Sequence, residues 1–377
     1  MKIVINALSA KIGGGVTYFN NLLPALGGLD RDNEYLILLP PRSPVQISSL
    51  PENFKVIRSG RLTVSPLLRV IYEQLLLPFI LIREKADLLY SPADTTTLAS
   101  PCPIVLAMRN PALYTKIPLQ WKGRDRIRSL VLSKLARLSA RRADRIIFVS
   151  ESSRREISAR LSLDPGKTRA IHHGFGSGFR RKGDPIPKSK MPEFPPEYIL
   201  SVSTIYWYKN YLALIRAYHS LISSHPEIRI PLVIVGGNAD EAYSRKLTDY
   251  ISRNNLSGRV ILAGSIDYSW LADVYSRAKM FVFPSYLETF GHPSIEAMSS
   301  GIPVAAARTG VMEEILGDAA VYFDPANLKE MEEKIKLLLD DSNLRCRLVE
   351  KGIKRAKDFS WDKTARETLD VLFPREK

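Results

Sequence analysis

Two carboxylates, Glu288 and Glu296, lie with seven residues between them in the stretch 280–307, MFVFPSYLETFGHPSIEAMSSGIPVAAA. Such a pair can serve as acid and base, or accept hydrogen bonds from the hydroxyls of a sugar or ribose. Local punctuation places them. Met280–Phe283 is an apolar run ended by Pro284 and reads as a buried strand, while Pro293 suits the first turn of a helix, which accepts a residue without an N–H. Gly301 ends that helix, and Ile302–Ala307 reads as the next strand. Glu288 therefore falls in a strand-to-helix loop and Glu296 in the opening turns of the helix, the ligand-binding edge of an open parallel sheet. The plain alternatives are a solvated loop acid for Glu288 and dipole complementarity for Glu296.

Three further features suit an anion. Lys209 stands just before a helix expected from Asn210 to Ser223, and the helix start at His292-Pro293 offers orphan N–H groups. Near the N-terminus, Lys11-Ile-Gly-Gly-Gly-Val-Thr17 joins a strand, Lys2–Ala7, to a helix expected from Val16. Gly14 and Gly15 in that loop can bring bare backbone N–H groups close to a phosphate or sugar, although a plain tight turn reads the same way. The loop is not GxGxxG, so a nicotinamide cofactor is a weak reading. A carboxylate beside a diphosphate would repel it. The glutamates are thus better suited to hydroxyls, and phosphate falls to Lys209, the helix start and the glycine loop.

The elements that must hold these groups alternate strand and helix throughout, which predicts an α/β protein with parallel sheets covered on both faces. At 377 residues the chain is long for one domain. We read an N-terminal Rossmann-like domain over 1–182, a proline-rich linker over 183–197, and a second Rossmann-like domain over 198–358. A C-terminal helix, 359–377, would pack back toward the first domain. Two cysteines, Cys102 and Cys346, suggest no disulfide or zinc framework and fit a reducing cytoplasm. The opening MKIVINALSA resembles a signal peptide only superficially, because GGG stands where a cleavage site is expected. No run of eighteen apolar residues predicts a membrane span.

Charge is placed unevenly. Residues 1–190 carry 31 Lys and Arg against 14 Asp and Glu, whereas residues 191–377 carry 23 against 25, so the formal surplus of +15 belongs to the first half. One domain, not the whole chain, should therefore meet an anionic surface, and nucleic acid is not the expected partner. Lys116–Arg145 concentrates the surplus, with Leu130, Val131, Leu135 and Leu138 at helical spacing and Trp121 near its start. A solvated face is the usual reading of such a charge run; contact with a membrane surface is the functional one. Leu67–Arg83 reads as one helix whose apolar face, Ile71, Leu75, Leu76, Phe79 and Ile80, belongs to the core.

Glu288-Thr-Phe-Gly-His-Pro-Ser-Ile-Glu296 and the following AMSSGIPV resemble the Glu-seven-residues-Glu motif of the retaining, nucleotide-sugar-dependent glycosyltransferase family four, of GT-B fold. GGGVTYFNNLL, FVSESSRREI, HHGFGSGF, STIYWYKNYLALIRAY and FSWDKTARETL follow the family's order, so the resemblance covers nearly the whole chain. It implies two Rossmann-like domains facing across a cleft. Glu288 would meet donor-sugar hydroxyls, Glu296 the ribose, the backbone at Phe290 and Gly291 the sugar or phosphate, and Lys209 the diphosphate. Gly14 and Gly15 would lie near phosphate and acceptor. No metal or other cofactor is implied. Two positions depart from the pattern: Thr204 stands where many members carry an arginine, and Arg109 where many carry a histidine thought to touch the donor sugar. Arg109 is a candidate replacement for the lost cation, and it changes both charge and reach.

The expected activity is transfer from a GDP-mannose-like or UDP-sugar donor to a glycan or lipid-linked acceptor, in surface polysaccharide or lipopolysaccharide assembly. The site would lie in the cytoplasm or on the inner face of the cell membrane. A sugar-nucleotide epimerase, and a binding protein that kept the fold without the chemistry, are the alternatives.

Overall fold

The computed structural model describes residues 1–11, 14–110, 113–114, 123–176 and 194–374. They divide into two units, Met1–Gly174 with Phe359–Lys377, and Phe175–Asp358. Ile12 and Gly13 of the expected loop, the linker up to 193, Trp121 and the basic residues before 123 lie outside the described residues.

Short apolar runs build the first unit: β1 (Lys2–Asn6), α1 (Gly14–Leu29), β2 (Glu34–Leu39), β3 (Phe54–Arg58), α2 (Pro66–Leu75), α3 (Leu77–Arg83), β4 (Leu88–Ser91), β5 (Ile104–Met108), α4 (Gly123–Arg142), β6 (Arg145–Phe148), α5 (Glu151–Leu161) and β7 (Thr168–Ala170). The strands pair in parallel in the order β3-β2-β1-β4-β5-β6-β7. Side chains alternate across this sheet, as strand geometry requires. Ile3 and Ile5 pack with Phe19 and Leu22 of α1 on one face, and Val4 and Leu89 with Leu81 of α3, Ala136 of α4 and Ile157 of α5 on the other.

The second unit repeats the plan: β8 (Tyr198–Val202), α6 (Tyr211–Ser224), β9 (Leu232–Val235), α7 (Glu241–Arg253), β10 (Val260–Gly264), α8 (Tyr268–Ser276), β11 (Ala278–Phe283), α9 (His292–Ser299), β12 (Val304–Ala307), α10 (Gly310–Leu316), β13 (Ala320–Phe323), α11 (Leu328–Asp340) and α12 (Ser342–Ala356). Its parallel strands run β10-β9-β8-β11-β12-β13. Strand order reverses between β8 and β11, and in the first sheet between β1 and β4, which opens a crevice at the carboxyl ends of each pair.

The final helix, α13 (Trp361–Leu372), belongs to the first unit and packs along α1. Glycine makes that approach possible: a Cβ on Gly174 would stand 2.2 Å from the Trp361 nitrogen. Thr364 Oγ1 then donates to the His172 carbonyl at 2.8 Å.

Two expectations are corrected, and one helix was not foreseen. The helix expected over Leu67–Arg83 is two helices meeting at Leu76, and the face read as core is largely outside: Ile71, Leu75, Leu76 and Phe79 are all exposed. The period placed the stripe correctly but not its direction, because a polar residue, Glu73, is buried in its stead. Helix α1 begins at Gly14, not Val16, so both glycines are its first residues. Helix α10 went unread, although Thr309 caps it by accepting from the Met312 N–H at 3.2 Å.

Candidate active site

Lys209 and Glu288, 79 residues apart, meet at the crevice of the second sheet. Lys209 follows β8, at the end of a tight 3-10 turn, Trp207–Lys209, and Glu288 lies in the loop after β11. Lys209 Nζ donates to Glu288 Oε1 at 2.5 Å, with the two side chains 14% and 11% exposed. Backbone chemistry fixes both ends. Asn210, in the left-handed region at φ 59°, turns the chain into α6 and anchors it by donating from Nδ2 to the Pro325 carbonyl at 2.8 Å. The Tyr286 N–H donates to the Tyr208 carbonyl at 2.9 Å, tying the lysine's turn to the glutamate's loop. Tyr206 and Tyr208 stack with centroids 5.3 Å apart, and the Tyr208 ring lies 5.4 Å from the lysine nitrogen.

Helix starts in this unit differ in a telling way. Asp240, Asp267, Thr309, Asn327 and Asp341 each accept a first-turn N–H, so α7, α8, α10, α11 and α12 are capped by side chains. Helix α9, which follows Glu288, has a glycine at its cap and so no cap side chain; at α6, which follows Lys209, Asn210 makes no side-chain cap and the Leu212 N–H donates instead to the Tyr243 hydroxyl of α7 at 2.9 Å. The residue at the α9 cap is Gly291, at φ 84°, where an added Cβ would meet Met312 Cε at 2.5 Å. Phe290 before it is buried, its ring 4.8 Å from that of His292. The positive end of α9 thus carries glycine and not a capping side chain, a geometry that suits an anion.

Glu296 lies deeper. Its side chain is buried within α9, where Oε2 accepts from the Tyr275 hydroxyl at 3.0 Å and Oε1 from the Tyr268 hydroxyl at 3.4 Å. Burial outweighs these two donors and pushes its carboxyl up to about 7. Tyr268 is itself 46% exposed, so one oxygen of this acid is reached through a residue open to solvent. Thr204 is exposed at the turn after β8.

The remaining expected residues belong to the first unit. Gly14 and Gly15 open α1 with φ outside the left-handed region, and among the described residues a Cβ on Gly14 would meet nothing within 4 Å. Arg109 follows β5. Its backbone N–H and that of Asn110 donate to Asp94 Oδ1 at 2.8 and 3.0 Å, and its guanidinium carbon stands 4.2 Å over the Tyr18 ring of α1. Tyr18 hydrogen-bonds the Tyr90 hydroxyl and packs 4.9 Å from the His173 ring. Asp94 is buried, and desolvation raises its carboxyl above the ordinary range.

Sequence reasoning missed the tyrosines on Glu296, yet Tyr268 and Tyr275 stand seven residues apart, two turns on one face of α8, which was a usable signal. It also missed Gly236, where a Cβ would stand 1.8 Å from the Ser203 carbonyl oxygen, so that only glycine lets the β9 end lie against the β8 turn.

Two parallel-sheet α/β domains, one carrying a lysine–glutamate pair and a buried second glutamate at its switch point, define a glycosyltransferase of the GT-B class. Residues 12–176 match the family described as Glycosyltransferase Family 4, and residues 186–355 match Glycosyl transferases group 1; the chain belongs to this glycosyltransferase family. It is 27% identical to the O-antigen chain mannosyltransferase B of Escherichia coli over 67% of this chain and 66% of that one. Identity to a D-inositol 3-phosphate glycosyltransferase of Catenulispora acidiphila is 30%, over 61% of this chain and 56% of the relative. The matched stretch thus spans less than two thirds of either relative. Among solved structures, the sucrose-phosphate synthase of Thermosynechococcus elongatus is similar in fold at a TM-score of 0.74 and 20% identity, covering 98% of each chain. Anabaena HepE, solved in complex with UDP and glucose, gives 0.72 at 17% identity over 99% of each.

Proposed function

We propose that this chain is a retaining, metal-independent glycosyltransferase that moves a sugar from a nucleoside-diphosphate donor to a hydroxyl of a lipid-linked glycan, in surface polysaccharide or lipopolysaccharide assembly. The contact between Lys209 and Glu288 at the switch point, beside the glycine-capped start of α9, carries the reading. An ammonium has three donors. With one on Glu288, Lys209 has two to direct at a diphosphate, and the start of α9 at Gly291 supplies further positive potential. Neutralised by the lysine, Glu288 can lie near that diphosphate and accept from a sugar hydroxyl. Glu296 accepts from the ribose.

In the transfer, the bond from the anomeric carbon to the diphosphate breaks as the acceptor oxygen bonds to the same face. The acceptor's proton passes to a phosphate oxygen, and Lys209 with the α9 start takes up the charge that develops. Gly14, beyond which the described residues leave open space, lets a ligand approach the backbone of α1, and Arg109, held over Tyr18, is a cation of the same unit. The mannosyltransferase among its relatives supports mannose as the transferred sugar, from a GDP-mannose-like or UDP-sugar donor. The uneven charge supports residence at the cytoplasmic face of the membrane. Among the described residues, no helix is long and apolar enough to cross one.

Incubation with GDP-, UDP- and dTDP-sugars, with and without a membrane lipid extract, tests this reading. Acceptor-dependent nucleotide release with the anomeric configuration kept, followed by NMR, supports it. Release without acceptor would replace it with the epimerase.

A further inference from the structure

Helix α2 is inside out. Its one buried residue among those described is an acid, Glu73, whereas Leu67, Ile71 and Leu75 face solvent, and beyond it Leu76, Phe79 and Ile82 continue the apolar surface along α3, with Phe79 69% exposed. An amphipathic helix of a water-soluble domain turns its apolar side to the core. A continuous run of large apolar side chains in the opposite sense marks an interaction surface.

The inward side of α2 is polar because it holds the crevice of the first sheet. Glu73 accepts from Asn6 Nδ2 at 3.3 Å, at the end of β1, and lies 3.8 Å from the Arg69 guanidinium. Gln74 donates to the Thr96 carbonyl at 2.9 Å and accepts from the Leu98 N–H at 3.1 Å. The Thr96 N–H in turn donates to Ser139 Oγ of α4 at 3.0 Å, so α2 and α4 flank one loop on the same face of the sheet. Lys11, just before the glycine-containing start of α1, donates to the Thr63 and Val64 carbonyls at 2.6 Å each, immediately ahead of α2.

The charge around this surface selects its occupant. On α4, exposed Leu130, Val131 and Leu138 are interleaved with exposed Lys134, Arg137 and Arg141. Arg58, Arg61, Arg83 and Lys85 are exposed beside α2 and α3, with Glu84 already paired to Arg83. A second copy of this chain would bring the same cations against each other. An anionic bilayer offers both acyl chains and counter-charge.

We infer that the outer faces of α2 and α3, with the exposed face of α4, form the surface by which this chain docks on an anionic lipid bilayer, and that the docked helix α2 is bonded directly to the residues flanking the acceptor-side crevice. The inference deepens the proposed membrane-borne acceptor by assigning its surface, and rests on that reading only for the acceptor. Phosphatidylcholine vesicles with and without phosphatidylglycerol, sedimented with the full chain, provide the test. Replacing Leu67, Leu75 and Phe79 together by Gln removes exposed side chains and keeps helix propensity, so melting should be unchanged. The triple variant should bind anionic vesicles at least about tenfold more weakly, with donor binding intact. A second variant, Lys134, Arg137 and Arg141 all to Gln, should lose the preference for anionic over neutral vesicles. Unaltered vesicle binding by the Leu/Phe variant would overturn the surface. So would sedimentation velocity showing a wild-type dimer that this variant dissociates, without vesicle binding. Vesicle binding by a wild-type chain that turns over no sugar nucleotide would uphold the surface while the enzymatic reading falls.

Discussion

Lys209 and Glu288 hold each other: the ammonium donates to the carboxylate at 2.5 Å, and both side chains are nearly out of solvent. Neither residue keeps the separate task that its type suggests, cation for phosphate and acid for sugar. Joined, they present a nearly neutral unit with donors on one side and an acceptor on the other, which fits the junction between a diphosphate and a sugar. A pair this enclosed is also costly to split, because the survivor is left as an uncompensated charge.

Removing the lysine and removing the acid should therefore differ from a simple loss of contact. Lys209→Ala is expected to weaken nucleoside-diphosphate binding by about tenfold or more and to lower stability by about 1–3 kcal/mol, discounted for partial exposure. Glu288→Gln, which leaves a neutral acceptor beside the lysine, should keep the fold and reduce transfer by about a hundredfold. The double variant should be less damaged than the sum, since the two act as one unit. Calorimetric titration, thermal melts and transfer rates on the four proteins check this; additive effects would refute the coupling.

Glu296 should impose its own pH dependence. Its carboxyl is raised from 4.5 to about 7 by burial, so between those values the folded chain binds a proton that the unfolded chain does not. This contribution to stability is complete below about 4.5 and is lost as pH rises through about 7. Melting of the wild type should fall across that window relative to Glu296→Gln. Nucleotide affinity should move oppositely, rising as the acid ionises near 7 and becomes a better acceptor for ribose hydroxyls, and Glu296→Gln should abolish that rise. Titration of nucleoside diphosphate from pH 5.5 to 8.5 reads it directly.

Much of this was legible in the chain. The alternation of apolar runs gave both parallel sheets, because the runs are bounded by prolines, glycines and capping residues. The two glutamates and the lysine stood out by spacing and resemblance. What spacing could not supply was distance: nothing local to residue 209 or 288 says that one reaches the other, since the contact is made by two loops brought together through adjacent strands. Nor could periodicity give the direction of α2. A stripe of leucines says that something apolar must cover it, and only the burial of Glu73 shows that the cover is not this chain's own core.

Arg109 is held as a plane, not as a point charge. Its guanidinium lies 4.2 Å over Tyr18 while the adjoining backbone is tied to Asp94. Arg109→Lys keeps the charge but loses the flat stack, and should lower kcat/KM by about tenfold with little change in melting. Tyr18→Leu, which removes the platform and leaves the arginine, should reproduce part of that loss. Steady-state kinetics with a range of donor sugars would show the effect concentrated in donor choice. Full activity in Arg109→Lys would mean that charge alone matters there.

The glycines make opposite predictions by position. At Gly236 a Cβ would be driven to 1.8 Å from the Ser203 carbonyl oxygen, so Gly236→Ala must push the β8 turn aside and should cost about 2–4 kcal/mol, with Lys209 displaced and nucleotide binding lost with it. At Gly14 the backbone is helical and, among the described residues, the space beyond it is open, so Gly14→Ala should leave stability unchanged or raise it by up to about 1 kcal/mol. Transfer should nonetheless fall, because the added methyl stands where a ligand must approach bare backbone. A melting curve and a transfer assay on this one variant separate a glycine needed for folding from one needed for substrate. If Gly14→Ala is as active as the wild type, the start of α1 is an ordinary turn, and the ligand contact must be sought elsewhere in the first unit.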